Sequence, residues 1–108
     1  MHKFLPLHII DKFEGMMRRR HVSEVARSPR GFLTAYKAVN GRSRDLDSYW
    51  VVKREGFVAR HTAQVEVRGE PLFDVYGNPT RRHLAMIAWA FSPHPEKIAN
   101  LAARLGRG

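Results

Sequence analysis

Apolar residues along the chain recur at helical rather than strand spacing. At about 100° per residue, Leu7, Ile10, Phe13 and Met17 fall on one side of a helix over 6–21. Lys12, Arg18 and Arg19 lie opposite, and Pro6 suits the first position. Val22–Arg27 reads as a short helix capped by Ser23. Ser28-Pro29 opens a third helix, which Gly41 stops after Asn40, with Phe32, Leu33, Tyr36 and Val39 as its apolar stripe. Asp47 or Ser48 can cap a long helix over Tyr49–Glu66. β-Type residues occur at both its ends, but no two-residue alternation survives from Tyr49 to Val58. Leu46, Trp50, Phe57, Val58, His61 and Val65 share one arc, and Arg54 lies within it.

Arg68–Pro71 breaks the pattern, and Leu72–Tyr76 is a short extended piece. A turn at Gly77–Thr80 starts the next helix, with Asn78 as cap and Pro79 at its first position, running through Phe91. Leu84–Phe91 is apolar all round, which suits a helix surrounded by others. Ser92–Pro95 ends it. Glu96–Leu105 is a last amphipathic helix, with Arg104 and Arg107 suiting its C-terminal end. These elements predict an all-α fold: one domain over 1–108, with four to six helices around a central helix at 84–91. Its expected core is Ile10, Phe13, Met17, Phe32, Tyr36, Trp50, Phe57, Leu84, Ile87, Phe91, Ile98 and Leu101.

Composition removes several function classes. With no cysteine there is no disulfide scaffold, iron–sulfur cluster or cysteine nucleophile. The longest apolar run, Leu84–Phe91, is far short of the roughly 20 residues of a membrane span. The first eight residues are too polar for a signal peptide, so a cytoplasmic location is expected. Six histidines are present, but none is spaced to put two metal ligands on one helical face. His61, on the apolar arc, reads as a core histidine with a hydrogen-bond partner. No paired carboxylates, nucleophile elbow or phosphate-cradling glycine loop is visible, so neither catalysis nor a cofactor is expected.

The charge changes the picture most. Of the net +9, residues 18–44 carry +7: eight bases against the single acid Glu24. Charge concentrated in a quarter of the chain suggests a polyanion footprint. Arg18, Arg19, Arg20, Arg42 and Arg44 are candidates for phosphate contacts, with Arg27 in the same segment. The order of helix, short helix and helix within 7–40 resembles a helix-turn-helix, which would place Arg30 and Lys37 on the recognition helix. The resemblance is loose, because the turn glycine is Gly31, one residue late, and Pro29 sits inside the turn. Arg18–Arg20 point three ways around a helix, so two at most can face one duplex. A second candidate is the loop around Asn78 with Arg81 and Arg82, cations at a helix N-terminus that the dipole disfavours. Every polar residue of that loop also has a local duty. The expected partner is nucleic acid, duplex DNA before RNA. The alternative is an adaptor or inhibitor docking on an acidic protein. No membrane contact is expected, a homodimer is allowed, and no aromatic-rich stacking motif separates DNA from RNA.

Overall fold

The first helix begins, as expected, directly after Pro6. It comprises α1 (Leu7–Ile10), a 3-10 turn (Asp11–Phe13) and α2 (Glu14–Arg19). The backbone stays right-handed through both junctions, so the three pieces run on as one rod with a tightened middle. Ile10, Phe13 and Met17 on its inner face are fully buried. The rod ends in a paired closure: His21 N–H donates to Arg18 O and Val22 N–H to Met17 O, with His21 left-handed at φ 54°. Residues 1–105 of the computed structural model are described here.

The next segment corrects the expectation. Residues 24–27 form a turn, not a helix, and Ser23 has φ 56°, outside the extended geometry of a helix cap. Arg27 folds back to donate to Val22 O through Nε (3.2 Å) and Nη2 (3.0 Å). Leu33 N–H donates to Ala26 O, and Gly31 lies against the turn so closely that a Cβ there would sit 2.1 Å from Val25 O. Helix α3 (Phe32–Ala38) therefore starts at Phe32 rather than Pro29, and the segment lacks the second helix of a helix-turn-helix. Asn40, left-handed, closes its end by the same pair of bonds seen at His21.

After a 3-10 turn (Ser43–Asp45), α4 (Ser48–Arg68) is the long central helix. Asp47 caps it, accepting from Tyr49 N–H at 2.8 Å, and left-handed Gly69 follows its last residue. Arg54 and Val58 are buried on its inner face. Trp50 and Phe57, expected in the core, are half-buried at its rim. Phe57 stacks on Trp89 at 4.7 Å, and Trp89 on Phe32 at 4.8 Å.

A tight loop then pairs Phe73 with Pro79 in a single antiparallel bridge. Helix α5 (Arg81–Ile87) is capped by Thr80, not Asn78, and ends short of Phe91. Its end is closed by Ala90 N–H to Ile87 O and Phe91 N–H to Met86 O, with Ala90 left-handed. Ala90 O is captured by Leu5 N–H at 2.7 Å and by Arg54 Nη2 at 2.9 Å. Phe91 is half-buried against the His2 ring. Helix α6 (Pro95–Leu105) buries Ile98, Leu101 and Ala102; Arg107 lies outside the described residues.

The architecture is an all-α single globule around one apolar cluster, with no strand among the described residues. Its radius of gyration, 13.2 Å, matches the roughly 13 Å of a compact chain this long. Leu84, Met86, Ile87, Ala88 and Ala90 are wholly buried, as the all-round apolar pattern implies. Among the described residues no helix is long and apolar enough to cross a membrane.

Candidate functional site

Two basic clusters far apart in sequence meet where the end of α2 packs against the start of α5. Arg20 Nη1 donates to Pro79 O at 3.2 Å, and Arg81 Nη1 donates back to Arg20 O. Both side chains are exposed. Beside them runs an open cleft of about 430 Å³ lined by Val22, Ser23, Glu70, Arg81, Arg82 and Ala85.

The cations of this region differ in how their donors are used. Arg82, half-buried, donates to both Glu70 oxygens (2.7 and 3.3 Å) and faces His61 Nδ1 at 2.8 Å. Those hydrogen bonds hold the Glu70 carboxyl below its ordinary range. His61 is half-buried and stacked on Phe57 at 3.9 Å. Burial lowers its pKa, and the Arg82 and Arg60 charges lower it further. It is therefore a neutral acceptor at the rim of the core rather than a fully buried core histidine. Arg82 is thus largely spent within the fold, whereas Arg81 and Arg20 are engaged only by main-chain carbonyls. Among the described residues no carboxylate lies within ion-pair distance of Arg19, Arg20, Arg30, Arg44 or Arg81.

The remaining candidates divide. Glu14 holds Lys37 in an ion pair and reaches Arg18 at 3.9 Å, so Arg18, Arg27 and Lys37 line a small cleft of about 170 Å³ around one carboxylate. Arg42 is paired with Asp45 at 2.8 Å, and Arg44 is exposed on the same turn. Arg30 is exposed in the turn before α3, not on a helix. Asn78 is not a cap: its N–H donates to Asp74 Oδ1 at 3.0 Å. The structure thus unites Arg20 with Arg81, gathers Arg18, Arg27 and Lys37 around Glu14, and leaves Arg42 and Arg44 on a separate loop.

Two polar groups lie deeper. Arg54 is completely buried, with Phe4 stacked 3.5 Å from its guanidinium. His83 is also buried, bonded to Leu72 O at 2.8 Å and to Ser92 Oγ at 2.7 Å. Burial pushes its pKa down to about 4. Both hold segments together and neither faces a cleft. The periodicity had already placed Arg54 among the apolar positions of α4, but its partners, near residues 3 and 90, carry no local sequence signal. Comparison of the chain with known protein families, with curated proteins and with solved structures finds no match.

Proposed function

We propose that this protein binds nucleic acid, duplex DNA first, through phosphate contacts from the surface where α2 meets α5, and that it catalyses no reaction there. One observation supports this most. Arg20 and Arg81, 61 residues apart in the chain, are held side by side through main-chain carbonyls. Arg19 precedes Arg20 in sequence and, among the described residues, has no carboxylate partner. Bringing like charges together opposes folding unless an anion joins them, and guanidinium forks suit phosphate oxygens. With no helix preceding α3 in the turn segment and Arg30 lying off α3, phosphate positioning is favoured over base reading.

The test is fluorescence-polarisation binding to a mixed duplex of about 25 base pairs, at about 50 and about 200 mM salt. Binding that weakens steeply with salt is expected. Changing Arg18, Arg19 and Arg20 together to Gln should weaken binding to all sequences alike. It should also flatten the salt slope by about 2, since each lost phosphate contact removes about 0.9 and two of the three can face a duplex. Absence of binding at the lower salt overturns this reading and favours the alternative, docking on an acidic protein.

A further inference from the structure

The loop between Phe73 and Pro79 is unusually well fixed for a surface turn. Asp74 Oδ1 accepts from Tyr76 N–H (2.9 Å) and Asn78 N–H (3.0 Å), while Asp74 N–H donates to Asn78 O and Gly77 N–H to Asp74 O. Gly77 takes the left-handed conformation the turn needs, at φ 81°. At the loop's base, Phe73 packs edge-on against buried His83, and Thr80 is tied to Leu72 O and Pro71 O. Each of these bonds presents the tip rather than covering it. Val75 and Tyr76 remain 92% and 86% exposed.

The three tyrosines set Tyr76 apart. Tyr36 is buried with its hydroxyl on Leu5 O, and Tyr49 lies against Trp50 and beneath Lys53. The Tyr76 ring packs on no aromatic ring and no cation among the described residues. Yet its loop is bolted to the arginine surface: Pro79 O is the acceptor of Arg20, and Arg81 opens the helix that follows. Three Cα steps separate Tyr76 from Pro79, at most about 11 Å.

An exposed aromatic ring on a fixed turn, in the loop whose Pro79 carbonyl holds Arg20 and which leads into Arg81, complements one kind of ligand, a flat ring joined to an anion. We infer that Tyr76 stacks on an unpaired base of the bound nucleic acid while Arg20 and Arg81 hold the flanking phosphates. The inference rests on the nucleic-acid reading above and sharpens it. Base–aromatic stacking is indifferent to sequence but needs an exposed base face, as in a single strand, a bulge or a gap. Because the turn already fixes the backbone, stacking costs the rotamer freedom of the side chain but no loop ordering. The Asp74 carboxylate does not oppose this strongly, since two main-chain N–H groups engage it.

The experiment compares three probes: an uninterrupted duplex, the same duplex carrying a one-nucleotide bulge, and the matched single strand. Each is titrated with the wild type, Tyr76→Ala, Tyr76→Phe and the double change Arg20→Gln with Arg81→Gln. The wild type should prefer the bulged duplex to the uninterrupted duplex by about 5-fold to about 150-fold, the range of one stacked base, with the single strand as the control that offers base faces without a duplex backbone. Tyr76→Ala should abolish that preference with the salt slope unchanged, and Tyr76→Phe should keep it. The arginine pair should weaken all three probes and reduce the slope. Wild-type binding with no preference for the bulged duplex over the uninterrupted one overturns the stacking role alone. So does a Tyr76→Ala protein that keeps the preference, or one that loses affinity for all probes equally. Failure of the wild type to bind any probe overturns the parent reading and this one with it.

Discussion

Arg54 and Arg20 show one side chain put to two uses. Beneath the N-terminal residues, Arg54 donates to His2 O, Lys3 O, Trp89 O, Ala90 O and the Glu55 carboxylate, at 2.7 to 3.0 Å. All five of its N–H groups are accounted for. Between α2 and α5, Arg20 reaches one carbonyl, and its other donors face solvent. Both count equally toward the net +9, but only one can meet a phosphate. A basic sequence thus marks a binding surface only after the donors already committed to the fold are subtracted. That subtraction removes Arg54 and most of Arg82, and weakens the claims of Lys37 and Arg42.

The largest effect expected from this contrast is at Arg54. Arg54→Met roughly keeps the volume but removes the donor to His2 O, Lys3 O and Trp89 O, leaves Ala90 O with Leu5 N–H alone, and leaves Glu55 without its neighbouring cation. Breaking such a buried network costs about 3–5 kcal/mol. For a chain this size that lowers the thermal midpoint by at least about 12 °C, read by circular dichroism. Arg54→Lys should rescue little, because a single ammonium cannot reproduce the fork. A midpoint within about 2 °C of wild type would erase the distinction between the two regions.

Next in size is the pH response of His83. Its Nδ1–H donates to Leu72 O, so in the neutral ring Nε2 accepts from Ser92 Oγ, and burial is what disfavours the charged ring in the folded state. Its folded pKa, about 4, lies below the ordinary 6.5. The unfolded chain therefore binds the proton first, and stability is complete above about pH 6.5 and lost as pH falls toward 4. The gap is worth up to about 3 kcal/mol. Denaturant midpoints measured from pH 7 to pH 4 should fall accordingly, and a His83→Asn protein, weaker at pH 7, should show a flatter profile.

Sequence periodicity located the helices far better than it located their ends. The stripes of α4 and α6 correspond to observed helices, the apolar run Leu84–Phe91 is helical only as far as Ile87, and nine of twelve expected core residues are buried. Helix ends were harder to read because His21, Asn40 and Ala90 take the left-handed conformation that glycine normally marks. At Ala90 the reason is long-range: its carbonyl is claimed by Leu5 and Arg54. The expected Ser23–Arg27 helix fails for a similar reason, since Ala26 O is taken by Leu33 N–H and Gly31 needs the space beneath Val25. The basic clusters themselves were legible as runs of arginine. Their meeting was not, because Arg20 to Pro79 is a contact between distant segments. The loop Asp74–Thr80 is legible as an ordered turn, but the exposure of Val75 and Tyr76 at its tip leaves no periodic trace.

Arg82 lies between the two extremes and sharpens the comparison. Because Arg82 is half-buried and bonded to Glu70 and His61, its change to Gln should cost the protein roughly 1 kcal/mol, the net worth of one hydrogen bond once solvent screening of this partly exposed pair is counted. If Arg82 is spent within the fold, the same protein should bind duplex DNA with an unchanged salt slope. A reduced slope would move Arg82 into the binding surface beside Arg81.

The smallest stability effect is expected where the proposed function is strongest. Arg18, Arg19 and Arg20 are exposed, and their partners are one carboxylate at 3.9 Å and one carbonyl at 3.2 Å. Gln keeps nearly the same helix propensity, so the triple Gln protein should unfold within about 1 kcal/mol of wild type. Its salt-dependent binding should nevertheless collapse. Together with Arg54→Met this forms a double dissociation: one change removes stability, and the other removes binding at constant stability. If the triple variant instead destabilises the protein as much as Arg54→Met does, the surface arginines are braces between α2 and α5, and their outward donors no longer argue for a phosphate.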